Sequence, residues 1–439
     1  MNDVVDLLVI GGGMAGMSAA ARAARRGLEV VVVESGPELG GSALYAGYLW
    51  TAPTIEAMCE ANPDGDPALA EAVVDGFGQA VAFLDELGVP YGPAVPILRF
   101  GRGHQFDTAL FIDTCRRAVL ASGGSVLLST TTETLLTDAT GAVVGAEVTV
   151  AGGAPRRIHA GATLLATGGF QADPDRRAEL VGPQARDMPL RSNPRSEGEG
   201  LRLARVAGGA LGNAGGGFYG HLVPAHVTLE PEHFVDLALY YSEHALLFNL
   251  RGERFIDETL GDHLTANALL EQPGSRGLLV TDARGYREFV CGAYVEGAAS
   301  TDKFALADRR GGRCVMADDA DDFAAMPPEW GYDGERIAEE VARCAHGEAL
   351  TPGRTHDPRP LDEPPYYVVE TVPAITFPFA GIRIDARARV QAADGGTVPG
   401  LYAAGSDIGG LYVGAYAGGL APAVVFGLAA ADDTASVAR

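Results

Sequence analysis

The 439-residue chain is 47% hydrophobic and 21% charged, an ordinary globular composition that leaves room for two or three domains and excludes a tail or linker. A formal net charge of -24 repels phosphate backbones and anionic bilayers, so neither a nucleic-acid nor a membrane partner is expected. The five cysteines (Cys59, Cys115, Cys291, Cys314, Cys344) are dispersed without a C-x-x-C pair or a haem-attachment motif; they read as reduced thiols, and no metal site is expected. In chain order, VVDLLVI (4–10) is a continuous aliphatic run, the pattern of a strand buried on both faces of a parallel sheet. The stretch before it, MND, carries an acid where a signal peptide needs bases, so a cytoplasmic location is expected.

After the glycines GGGMAG, the alanine-rich segment Met14 to Arg26 predicts a helix that Gly27 stops, and LEVVVV (28–33) predicts a second buried strand. A further helix is signalled by Asp66 as N-cap, Pro67 in its first position and Gly88 past its end. Another runs from about Asp107 to Leu120, followed by strands at SVLLST, VVGAEVTV and RRIHAGATLLAT. From 218 to 365 histidine, proline and acidic residues rise and the sheet signals weaken. Buried strands then resume at YYVVETV, IRID and GLYAA, and a helix begins near Leu420. The expected architecture is α/β: a Rossmann-like domain (1–217 and 366–439) split by an inserted α+β capping domain (218–365) that carries substrate contacts. Residues 408–431 form an uncharged run long enough to span a bilayer. The glycines within it, Pro422, and Asp407 and Asp432 at its ends argue for a packed loop and helix instead.

Gly11-x-Gly13-x-x-Gly16 lies between a strand and a helix, the context that gives this pattern meaning. Gly11 makes the tight turn, Gly13 admits a pyrophosphate, Gly16 lets helix and strand pack, and Met14 and Ala15 open the helix whose free N–H groups face the phosphates. Glu34, ending the second strand beside Ser35, is placed to accept hydrogen bonds from ribose hydroxyls. These elements do not by themselves separate NAD from FAD.

Three later stretches do so: GGSALYAGYLW (40–50), LLATGGF (164–170) and GLYAAGSDIGG (400–410). With the first motif they resemble the flavoprotein family of fumarate reductases, succinate dehydrogenases and 3-ketosteroid dehydrogenases, over nearly the whole chain. The resemblance implies an FAD domain split by a capping substrate domain. It further implies FAD contacts from Glu34, Gly41, Ser42, Gly47, Thr167, Gly168, Gly405, Ser406 and the backbone of Leu420, Ala421 and Ala423. The last group is physically reasonable, because a helix N-terminus there faces the electron-rich N1 and C2 end of a flavin. Covalently flavinylated members have histidine where this chain has Ser42, so non-covalent FAD is expected. No second strand-GxGxxG-helix unit is present for NAD(P)H, which implies an external electron acceptor or donor beside the small-molecule substrate.

The fumarate reductase branch grips two carboxylates with arginines and a histidine. Here the arginine of its terminal motif is replaced within Tyr416-Ala417-Gly418-Gly419, a second falls near Asp262, and the histidine position is Phe377; only His226 resembles a substrate histidine of that branch. A dianion would meet Asp262 and apolar walls, so dicarboxylates are not the expected substrates. The terminal motif is closer to that of 3-ketosteroid dehydrogenases, in which a tyrosine and a backbone N–H four residues later bind the ketone oxygen; those positions are Tyr416 and Leu420. Leucine stands where those enzymes have glycine. The reading is therefore oxidation or reduction of a carbon–carbon bond beside a ketone in an apolar cyclic or polyketide-like substrate. A flavin-binding sensor without turnover and a reductase of another unsaturated acid are the alternatives. Tyr45, Tyr48 and Trp50 are placed near the flavin, Tyr240 and Tyr241 are the candidate cap acid/base residues, and Tyr412 is read as packing.

Overall fold

The computed structural model describes residues 4–293 and 300–438. They form two compact units, one comprising the described residues up to Pro183 with Ser192–Phe218 and Phe377 onward, the other Gln184–Arg191 and the described residues of Tyr219–Thr376. After the short stretch Gln184–Arg191, the chain enters the second unit again within strand Phe218–Pro224 and leaves it within the 13-residue strand Tyr366–Pro378. A single strand with one end in each unit has no composition shift to mark the crossing, so the sequence places the return at 366 whereas the packing places it at 377.

In the first unit the central strands are Val4–Ile10, Val30–Val33 and Pro155–Leu165, all parallel, with Val9 aligned to Val32 on one side and Leu164 on the other. Ser125–Leu127 extends this sheet beyond Val30–Val33, and Thr397–Ala403 extends it in parallel beyond Pro155–Leu165. Every valine of Val30–Val33 is buried, as a strand covered on both faces requires. The strand begins at Val30 rather than Leu28 because the Glu29 N–H is taken by the Asp6 carboxylate at 2.7 Å. Helix Met14–Arg25 buries all its alanines and packs against helix Leu420–Val437. A Cβ on Gly427 would lie 2.5 Å from the Ala15 carbonyl oxygen, so the missing side chain permits this close approach. Helices Pro67–Leu87 and Leu420–Val437 are long and apolar enough to cross a membrane, and two thirds of the latter's apolar window (67%) is buried inside the protein. The predicted caps are in place: the Asp66 carboxylate accepts from Ala68 and Leu69, Pro67 opens the helix, and Gly88 closes it with φ 70°. An antiparallel sheet of Tyr48–Thr51, Tyr91–Ile97 and Gly101–Phe106, which the sequence pattern did not announce, fixes the GYLW segment.

The second unit is α+β. Leu246–Phe248, Gly277–Thr281, Tyr366–Pro378 and Cys314–Ala317 pair antiparallel, and Phe248, Leu278, Val280, Val368, Ile337 and Val341 make its core. Arg254 and Glu258 form an ion pair at 2.6 Å, both side chains fully buried, and Glu258 also accepts the Leu247 N–H.

Candidate active site

The strand Val4–Ile10 ends in Gly11, whose φ of 106° and lack of a side chain are both required: a Cβ there would lie 2.1 Å from the Ala166 carbonyl oxygen. Gly16 is equally tight, with a Cβ position 2.0 Å from the Gly11 oxygen, whereas above Gly13 the nearest atom is 3.6 Å away. Gly13 caps helix Met14–Arg25 without any side-chain hydrogen bond, so the first-turn N–H groups at Met14, Ala15 and Gly16 have no side-chain acceptor. That opening suits a pyrophosphate. Glu34 accepts from Gly12 N–H at 2.8 Å and Gly36 N–H at 2.6 Å, with the Ser35 hydroxyl 3.4 Å away, which aims its carboxylate beside the loop. Glu34→Ala strips these donors and any ribose hydroxyls of their acceptor. It is expected to weaken FAD binding by about 1.5 to 3 kcal/mol, read by titrating the apoprotein with FAD and following flavin fluorescence.

The two later glycine turns are locked together by Asp407, a residue the sequence reading used only as a boundary. Its buried carboxylate accepts from Thr167 N–H and Gly169 N–H (3.0 Å) and from Thr167 Oγ1 (2.9 Å), and Thr167 Oγ1 in turn accepts the Gly200 N–H. Burial pushes the Asp407 carboxyl above its ordinary range against these donors, which favour its charged form. Thr167 and Gly168 are thus held against Gly405 and Ser406, with Thr167 spent on the clamp rather than left as a free hydroxyl. Ser42, in the short helix Gly41–Tyr45, lies 2.8 Å from the Ser192 hydroxyl, and Gly47 accepts the Phe106 N–H at 2.9 Å.

A cleft with about 350 Å³ of empty space is lined by Phe377, Phe379, Gly405, Ser406, Tyr412, Gly419 and Pro422 among others. Helix Leu420–Val437 starts at this cleft, capped by Gly419 without a side-chain bond, so the N–H groups of Leu420 and Ala421 are presented there and Ala423 bonds back to Gly419. Tyr416 is buried among aromatic rings: Trp50 at 5.3 Å edge-on, Tyr412 at 5.8 Å and Phe377 at 5.9 Å between centroids. A Cβ on Gly419 would sit 3.5 Å from the Tyr416 hydroxyl, which places that phenol at the helix start. Tyr412 donates to the Gly418 carbonyl at 2.7 Å, as a packing residue does. Tyr48 is half-buried, and burial raises its pKa. The open phosphate turn, the uncapped helix starts and the glycine-lined cleft fit FAD.

All of the candidate cofactor residues, with Tyr48, Trp50, Phe377, Tyr416 and Leu420, belong to the first unit; Tyr240, Tyr241 and His226 belong to the second. The Tyr240 hydroxyl accepts from Arg191, whose guanidinium also donates to the Phe234 carbonyl and to Thr376. Tyr241 is buried, which raises its pKa far above the ordinary value. His226, with φ 65°, pairs through Nε2 with the fully buried Glu370 at 2.9 Å, which Arg276, Arg313 and Tyr332 also donate to. Asp262 is not a bare carboxylate: it holds the Nδ1 of buried His221. Burial drives the His221 pKa down, so the ring is neutral with its proton toward Asp262. Burial works to raise the Asp262 pKa, but the hydrogen bond from His221 and the positive charge of Arg191 outweigh it and hold the carboxyl below its usual range. The His221 Nε2 is buried without a hydrogen-bond partner in the structure. Neither Arg191 nor His221 was singled out by the sequence, although FYGHLVPAH carries two histidines on one strand and its turn.

Fold and site together define a flavoprotein oxidoreductase. The chain belongs to the FAD binding domain family, whose description matches residues 6–420. It is 28% identical over 476 aligned positions to the fumarate reductase (cytochrome) of Shewanella frigidimarina, covering 100% of this chain and 78% of that protein. It is 25% identical to the urocanate reductase of Eggerthella lenta, covering 92% and 70%. Its fold superposes with a TM-score of 0.80 at 17% identity on a 3-ketosteroid delta1-dehydrogenase from Sterolibacterium denitrificans, covering 99% and 100% of the two chains. The protein is an FAD-dependent enzyme of the dehydrogenase and reductase class.

Proposed function

We propose that the protein oxidises or reduces a carbon–carbon bond adjacent to a ketone in an apolar cyclic or polyketide-like substrate. The observation that carries this reading is the Tyr416 phenol beside the uncapped start of helix Leu420–Val437, inside an aromatic wall and a run without a charge. A ketone oxygen meeting both would receive one hydrogen bond from the phenol and one from the Leu420 N–H. Both strengthen as the oxygen gains enolate character, because no water competes in so apolar a setting. Bound FAD supplies the hydride acceptor or donor. The chain must also move a proton at the neighbouring carbon. Of the second unit's groups, Tyr240 is engaged by Arg191, and His221 is held by Asp262 with its Nε2 buried. The Leu420 side chain, half-buried where ketosteroid dehydrogenases have glycine, favours a substrate slimmer than a steroid.

Mixing the oxidised enzyme anaerobically with saturated ketones, and the reduced enzyme with enones, while following flavin absorbance tests the reading. Bleaching or recolouring by members of these sets is the expected result. A flavin that ignores every ketone and enone but is reoxidised by unsaturated acids would replace this reading with the second one, reduction of an unsaturated acid, which the likeness of this chain to most of a fumarate reductase favours. Acid precipitation is expected to release all yellow colour as free FAD, because the position of a covalent histidine is held by Ser42. Flavin retained on the pellet would overturn non-covalent binding.

A further inference from the structure

Within the first unit, the loop 192–198 lies against the turn 34–42, which carries Glu34 and Ser42. Two of its side chains meet that turn at opposite ends. A Cβ on Gly41 would lie 3.5 Å from Asn193 Nδ2, and one on Gly36 would lie 3.5 Å from Arg195 Nε and 3.0 Å from Glu34 Oε1. The Asn193 amide therefore stands at the phosphate end, where Gly40 bridges to Gly13 and the Gly41 Cβ position is 4.0 Å from the Gly13 Cα. The Arg195 guanidinium stands at the Glu34 end.

The orientation of the amide is set by the backbone. Asn193 Oδ1 accepts the Arg195 N–H at 3.1 Å, which an NH₂ group in its place could not do, so Nδ2 is the atom beside Gly41. The loop is tied down as well. Ser42 Oγ accepts the Asn193 N–H at 3.3 Å, the Asn193 carbonyl accepts from Ser196 at 3.2 Å, and the Ser196 carbonyl accepts from Ala172 at 2.9 Å. Arg195 is exposed and Asn193 half-buried, so a ligand entering the cradle from solvent can meet both.

Charge gives Arg195 a task. The turn 34–42 holds Glu34 and Glu38 and no base, and the loop with the residues after it holds Glu197 and Glu199, with Arg195 as the only base of either segment. Among the described residues no carboxylate forms an ion pair with its guanidinium. The carboxylates repel the pyrophosphate of a dinucleotide, and the phosphate turn counters with backbone N–H groups and a helix start alone. A net charge of -24 adds to the repulsion. A guanidinium on this rim offsets it, and its planar face is suited to lie on an adenine ring.

We propose that Asn193 and Arg195 form a second wall of the cofactor cradle and grip the adenosine diphosphate half of FAD, the Asn193 amide donating to a pyrophosphate oxygen and the Arg195 guanidinium covering the adenosine beside Glu34. Both are binding residues for the cofactor, whichever substrate the enzyme takes.

The test titrates the apoprotein with FAD, read by quenching of flavin fluorescence, and with ADP, read by calorimetry, each at low and at high salt. Circular dichroism and thermal melting check folding. Arg195→Ala is expected to melt like the parent, because the side chain is exposed, and to bind FAD and ADP alike about tenfold more weakly at low salt. The gap should narrow as salt rises. Arg195→Lys, which keeps the charge without the planar face, should fall between. Asn193→Asp keeps an oxygen for the Arg195 N–H and sets a carboxylate oxygen where the donor stood, so both ligands should bind at least about tenfold more weakly. If Arg195→Ala and Asn193→Asp fold like the parent and bind both ligands as it does, the loop is no wall of the cradle. Variants that lose FAD but bind ADP as the parent does would overturn the assignment to the adenosine diphosphate half. A loss of FAD that is equal at both salt concentrations and comes with a lowered melting temperature would make the loop a structural support only.

Discussion

Tyr416→Phe is expected to slow substrate-driven flavin change at least about fiftyfold while leaving FAD bound and the melting temperature within a few degrees of the parent. The substitution deletes one hydroxyl and keeps the ring that packs edge-on to Trp50 and beside Tyr412 and Phe377. Losing a preorganised donor to a developing oxyanion typically costs about 2.7 to 4 kcal/mol of transition-state stabilisation, whereas losing a core hydrogen bond costs about 1 kcal/mol of stability and leaves chemistry intact. Rapid-mixing measurement of flavin absorbance with the ketone or enone found in the screen separates the two. A folded, flavin-loaded Phe variant with parental kinetics would make Tyr416 a packing residue.

Tyr412 belongs to the same uncharged stretch, four residues before Tyr416, and donates to the Gly418 carbonyl. Gly418 itself, with φ 107° and a Cβ position 2.1 Å from the Trp50 carbonyl oxygen, has no room for a side chain. The loop is thus pinned on both sides, to Tyr412 and to the Trp50 backbone. Such pinning keeps the phenol of Tyr416 at a set place relative to the helix start, as electrostatic stabilisation of a transition state requires.

What could be read from the sequence was local. The turn at Gly11, the caps at Asp66, Pro67 and Gly88, and the start of the last helix at Leu420 are each decided by neighbours a few residues away, and each is found where its residue chemistry places it. Glu34 was legible for the same reason: it ends a strand whose four valines announce themselves. The Ser42–Ser192 hydrogen bond and the Asp407 clamp were not, because their partners are distant in the chain. Ser42 meets Ser192 across 150 positions and Thr167 meets Asp407 across 240, and no periodicity encodes such a meeting. Asp262 shows the consequence. Taken alone it is an isolated acid that would repel an anion; beside His221 and Arg191 it orients an imidazole in a cluster of no net formal charge.

Asp407→Ala is expected to lower the stability of the apoprotein by about 3 to 5 kcal/mol, because several buried donors lose their acceptor at once. The Thr167 and Gly169 N–H groups are backbone, cannot turn away, and lie where the strands Pro155–Leu165 and Thr397–Ala403 end side by side. Water cannot easily replace the carboxylate, since Asp407 is only 1% exposed and a Cβ on Gly200 would already be 2.8 Å from its Oδ2. Asp407→Asn should recover part of the loss, because its carbonyl oxygen still accepts while its NH₂ faces donors and cannot. The measurement is urea unfolding of the apoprotein followed by circular dichroism, with the order parent, Asn, Ala expected in midpoint. Ala should also lose FAD, since Gly168, Gly405 and Ser406 are held in place through this one side chain. An Ala variant that unfolds at the parental urea concentration would show that the two turns keep their arrangement through the strand pairing alone, with the Ala404 N–H to Leu165 bond at 3.0 Å as its last rung.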